Sequence, residues 1–112
     1  MRFDATLVRS VLAASSFQAG CTVDHVEQAC RDVVHALGTK AEECGEDREA
    51  VEEAIEQGLR DTYGAGCEGV DEVRDIDGLY DFCLPRIEGM ACEDYRAGNL
   101  PLACRHQLNF YP

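Results

Sequence analysis

Apolar residues recur at intervals of three and four along most of this chain, and that spacing predicts helices. Val23, Val26, Cys30, Val33, Val34 and Leu37 share one helical face, with Thr22 placed to cap the start and Gly38 to end the helix. Thr39-x-x-Glu42 has the form of a capping box for a short continuation that reaches Cys44 and closes at Gly45. Asp47 opens the next helix, whose stripe of Ala50, Val51, Ala54, Ile55 and Leu59 ends at Gly64. Gly66 and Gly69 mark a turn around Cys67. Helical spacing resumes with Val70, Val73, Ile76, Leu79, Tyr80, Cys83, Leu84, Ile87 and Met90, with Asp77 as an N-cap and Pro85 as the point of a kink or restart. Asn99 with Pro101 opens a last short helix through Cys104 to Leu108. No segment alternates as a strand would, so the expected fold class is all-α: a small bundle of three to five short helices.

The first twenty residues read differently. A mildly apolar run, Val11-Leu12-Ala13-Ala14-Ser15-Ser16-Phe17-Gln18-Ala19-Gly20, follows Arg2, Asp4 and Arg9 and ends at Cys21. Small residues before a cysteine resemble a bacterial lipoprotein signal, in which the cysteine is acylated. The competing reading is an amphipathic N-terminal helix that uses Phe3, Leu7, Val8, Val11, Leu12 and Ala14 and opens at Asp4. Residues 21–112 then form a single disulfide-rich helical domain. No other segment approaches the roughly 18 apolar residues needed to span a bilayer.

Seven cysteines in 112 residues change this picture most: Cys21, Cys30, Cys44, Cys67, Cys83, Cys92 and Cys104. Metal and redox motifs usually place two thiols close together, as in C-x-x-C, whereas the shortest gap here is eight residues. Single cysteines spread over predicted helices are what a disulfide framework in a small secreted domain looks like. If Cys21 is lipidated, six remain for three bridges; if it belongs to the fold, one thiol is free or links two chains. Let the helix from Thr22 run up, the one from Asp47 down and the one from Asp77 up. Cys67 then returns toward the lower part of the first helix, and Cys44 meets Cys92 near its upper end. The expected pairs are Cys30–Cys67, Cys44–Cys92 and Cys83–Cys104.

Charge limits the partners. Twenty-two acidic residues against ten basic ones give a net charge of −12, which argues against nucleic acid and against anionic membrane surfaces. A membrane enters only through a lipid anchor on Cys21. The run Glu42, Glu43, Glu46, Asp47, Glu49, Glu52, Glu53 and Glu56 lies on and just before the second helix. Its first members suit the positive end of the helix macrodipole. Glu49, Glu52, Glu53 and Glu56 are expected opposite the apolar stripe, as a solvated face or as an acidic docking face for a protein with a cationic surface.

Catalytic and metal chemistry find few residues. His25, Cys30 and His35 are spaced by five, about 140° apart around a helix, and do not share a face. Cys104 and His106 are too close in sequence to face each other on a helix. Asp71, Glu72, Asp75, Asp77, Gly78 and Asp81 have the content of a calcium loop, but with Gly78 at the sixth position Val73 and Leu84 stand where carboxylates are required. No catalytic residue, metal or cofactor is expected.

One resemblance is carried by the C-terminal third. Cys83-Leu84-x-x-Ile87-x-x-Met90-x-Cys92, followed by Gly98-x-Leu100-Pro101-x-Ala103-Cys104-Arg105, resembles the end of small cysteine-rich predicted lipoproteins of myxobacteria and related bacteria. Cys44-Gly45 after a cysteine-bearing helix is similar too, while Val51 stands where such proteins often have another cysteine. The resemblance implies an exported, helical, disulfide-bonded protein and carries no catalytic residue across. The expected function is a non-catalytic binding or structural module, extracellular or in the cell envelope. The alternative is a cytoplasmic helical accessory protein with reduced cysteines that handles thiols or metals.

Overall fold

The structure, a computed structural model, describes residues 25–110. Two long helices come first: α1 (His25–Glu43) and α2 (Arg48–Tyr63). After a 3-10 turn at Cys67–Gly69 come strand β1 (Val70–Val73) and helix α3 (Ile76–Gly78). Helix α3 runs through a π-helical stretch, Leu79–Cys83, into α4 (Leu84–Glu88). The chain closes with α5 (Cys92–Ala97), a 3-10 turn at Leu102–Cys104 and strand β2 (Leu108–Phe110).

Helix α1 is the axis of the molecule because its apolar residues fill two flanks rather than one stripe. On one flank Ala29 is wholly buried with Leu79, Cys83 and Ile87, and Val33, Ala36 and Leu37 pack against them. On the other, Cys30 and Val34 are buried with Cys67 and Val70, and Ile55, Leu59 and Phe110 close over them. Gly38 does not end the helix, which continues through a buried Ala41 to Glu43. The Thr39–Glu42 pattern therefore lies inside one continuous helix. Thr22 lies outside the described residues, as does the stretch read as a signal or N-terminal helix.

A turn over residues 44–47 folds α2 back along α1, so that His35 meets Glu52 and Arg31 meets Glu56. Gly64 ends α2 in the left-handed conformation (φ 87°), where glycine has no Cβ to clash, and donates its N–H to the Arg60 carbonyl. No residue of α2 is fully buried. Its apolar side, Val51, Ile55 and Leu59, is only half covered by α1.

The expected all-α class needs correction, since the chain is mostly helical but carries a small antiparallel sheet. Val70 pairs with Phe110, Glu72 with Asn109 and Val73 with Leu108, with a bulge between Val70 and Glu72. Val70 and Val73 are three apart, a spacing that a helix stripe and a bulged strand share. The expected last helix to Leu108 is instead the short 3-10 turn and β2. The cap of the third helix is Asp75 rather than Asp77, its carboxylate accepting the Gly78 N–H at 3.0 Å. Pro85 stands where the element restarts: the π-helical stretch ends at Cys83 and α4 begins at Leu84, with Pro85 in its first turn. It follows a π-helical turn in which the Leu84 N–H reaches back to the Leu79 carbonyl. Widening the helix there accommodates a residue that brings a ring and no N–H.

Candidate functional site

The cysteines define what is held rigid. Cys30–Cys67 ties α1 to the turn before β1, Cys44–Cys92 ties the end of α1 to the first residue of α5, and Cys83–Cys104 ties the π-helical stretch to the last 3-10 turn. Their Cα atoms are 5.5, 5.5 and 4.7 Å apart, the separations a disulfide spans. These are the same three pairs that follow from an up, down, up path. Three disulfides favour a non-cytoplasmic environment. Cys21 lies outside the described residues.

The four glutamates of the expected docking face do not lie on one outward surface. Glu49 and Glu53 are exposed, whereas Glu52 and Glu56 are half-buried in the seam between α1 and α2. Glu52 lies over Gly38, where even a Cβ would collide with its side chain. Its Oε2 is buried without a hydrogen bond and lies 3.3 Å from His35 Nδ1. Glu56 accepts the Cys67 N–H at 3.2 Å and approaches Arg31 at 3.8 Å. Here too a glycine makes room, since a Cβ on Gly66 would overlap the Glu56 carboxylate. The stripe of Val51, Ile55 and Leu59 is too narrow to seal the helix pair, and the carboxylates fill its margin.

The seam opens into a cleft of 510 Å³ whose walls carry both signs of charge: Arg31 and Arg60 stand with Glu52, Glu53 and Glu56, and His35 lines it too. Arg31 is held by Glu27 one turn back, which raises the guanidinium pKa further. Glu68, beside the same turn, is held below the usual carboxylate range by its own N–H and that of Gly66.

Cys30, the cysteine between His25 and His35 in the sequence, is buried in its disulfide and offers no free thiol. His106, at φ 59°, forms the turn into β2. Among the described residues, no group of three or more His, Cys, Asp or Glu side chains is placed to hold a metal ion. No helix among them is long and apolar enough to cross a membrane.

Two polar residues that the sequence pattern did not single out brace the fold. Lys40, 4% exposed, donates to Glu43 and to the Glu88 carbonyl, both at 2.7 Å, and so caps the end of α4. Gln107, also buried, accepts the Asp75 N–H at 2.9 Å and donates to the Ala103 carbonyl at 3.0 Å. Two tyrosines are tuned by their surroundings. Burial first, then a hydrogen bond donated to Asp32, push the Tyr80 phenol up to about 12. Burial and Glu46 raise Tyr95.

A second recess differs in character. Leu37 of α1, Met90, Tyr95 of α5, Gly98, Asn99 and Leu100 enclose an apolar notch of 240 Å³. The sequence placed Met90 at the end of a helix stripe, but that helix stops at Glu88 and Met90 turns into the notch wall. Gly89 before it and Gly98-Asn99 beyond α5 were the available signals. Comparison with family models, curated proteins and solved structures finds no match to this chain.

Proposed function

We propose that the protein is an exported, non-catalytic binding module of the cell envelope or exterior. The observation that carries this reading is that all six cysteines from Cys30 to Cys104 are consumed in three bridges, leaving Cys21 alone beside the small residues that resemble a lipoprotein signal. In this reading Cys21 carries the acyl anchor and the folded part stands outside the membrane. The acidic surface, with a net charge of −12, selects partners with a cationic face and speeds their approach. Exposed Glu49 and Glu53 contribute to that surface, and Glu52 and Glu56 lie half-buried in the seam of the helix pair.

Thiol counting tests the proposal. Native protein denatured without reductant should show at most one reactive thiol, and none if Cys21 is acylated. Cys21→Ser should abolish incorporation of labelled fatty acid in cells while leaving the three bridges in place. Seven free thiols in protein from its native compartment would overturn the exported reading.

A further inference from the structure

We propose that the apolar notch beside α5 is the docking pocket for one apolar side chain of an extended, positively charged peptide. The proposal rests on the reading of the protein as a binding module and names the partner of that module. The notch encloses 240 Å³, below the roughly 300–1,000 Å³ of pockets that take whole small molecules, and so it suits one Leu- or Met-sized side chain. Asn99 stands exposed at its edge, and its side-chain amide has no hydrogen-bond partner among the described residues. An amide carries both a donor and an acceptor, as one peptide group of a bound strand requires.

Charge selects the flanking residues. Glu46, Glu88, Glu93 and Asp94 are exposed on the segments around the notch. Of the nearby cations, Arg96 is turned onto the Cys44 carbonyl and Arg105 onto the Leu100 carbonyl. Lys40 is buried against Glu43 and Glu88. The four carboxylates outnumber the exposed guanidinium groups of Arg86, Arg96 and Arg105, and the chain as a whole carries −12, so a peptide with Arg or Lys on either side of its apolar anchor is favoured over an acidic one. The Cys44–Cys92 bridge and the Tyr95–Glu46 hydrogen bond hold α5 against α1, so the pocket is formed before the ligand arrives.

The test is a methyl-resolved NMR titration of the oxidised full chain with the synthetic peptide acetyl-Gly-Arg-Leu-Arg-Gly-amide. The methyl signals of Leu37, Met90 and Leu100 should shift together and saturate, and binding should weaken as salt is raised. Replacing the peptide's Leu by Gly, or using L100D protein, should weaken binding about tenfold or more. The L100D spectrum away from the notch should match wild type. The proposal is overturned if these methyls do not shift, if the shifts map to the α1–α2 cleft, if a peptide with Glu in place of Arg binds equally, or if octanoate occupies the notch more tightly than the peptide. Because the protein is supplied oxidised, failure here leaves the thiol count intact, and failure of the thiol count leaves this titration readable.

Discussion

Tyr80 shows how one side chain reports on the packing around it. The residue is 40% exposed, yet its hydroxyl is drawn onto the α1 surface by Asp32, and its pKa rises to about 12. A folded-state pKa above the ordinary value of about 10 means that the fold favours the neutral phenol. Its contribution to stability is therefore complete below about pH 10 and is lost as pH rises through about 12. Tyr80→Phe should remove a phenol that ionises near pH 12 from an ultraviolet titration and flatten the alkaline fall in stability over that window. At neutral pH the change should be small, under about 1 kcal/mol, because the group is partly solvated. At this scale the cysteine pairs were legible in the sequence only with an up, down, up path for the helices assumed, since six thiols alone allow fifteen pairings. The roles of Gln107 and Lys40 were not, because both serve main-chain groups far away in the chain, 32 and 48 residues off. Glu52 and Glu56 were misplaced for a related reason: a wheel drawn from apolar residues cannot show that glycines on α1 and in the next turn leave room for carboxylates.

The pairing of α1 with α2 turns on such a glycine. In an ordinary helix interior Gly38→Ala would stabilise by about 1 kcal/mol. Here the new Cβ would lie 2.8 Å from Glu52 Cδ and must expel that side chain from the seam. Gly38→Ala alone should thus lower stability by about 1 kcal/mol, while Gly38→Ala with Glu52→Ala should recover at least the wild-type value. Thermal melts of the two single variants and the double variant decide the matter, and purely additive effects would contradict this packing. Both long helices were legible because their apolar spacing persists over several turns. The sheet was not, since β1 and β2 are four and three residues long. Its register depends on the bulge and on Arg74 and Asp75 bonding to Gln107, all contacts between distant parts of the chain.

For the molecule as a whole, stability should depend on oxidation. Three of the nine buried apolar residues among those described are cysteines, so the bridges are part of the core they fasten. Closing loops of 37, 48 and 21 residues should contribute about 3–4 kcal/mol each by restricting the unfolded chain. That is comparable with the entire stability of a small domain. Full reduction should lower Tm sharply or abolish the cooperative transition in calorimetry, and an unchanged Tm would mean that packing alone suffices. The order of the bridges has a further consequence. The spans 30–67, 44–92 and 83–104 overlap in series, so every peptide bond between Cys30 and Cys104 lies inside at least one of them. A protease that severs the backbone once anywhere in that stretch releases nothing: both pieces stay joined through sulfur, and the cut ends remain tethered to the same folded body.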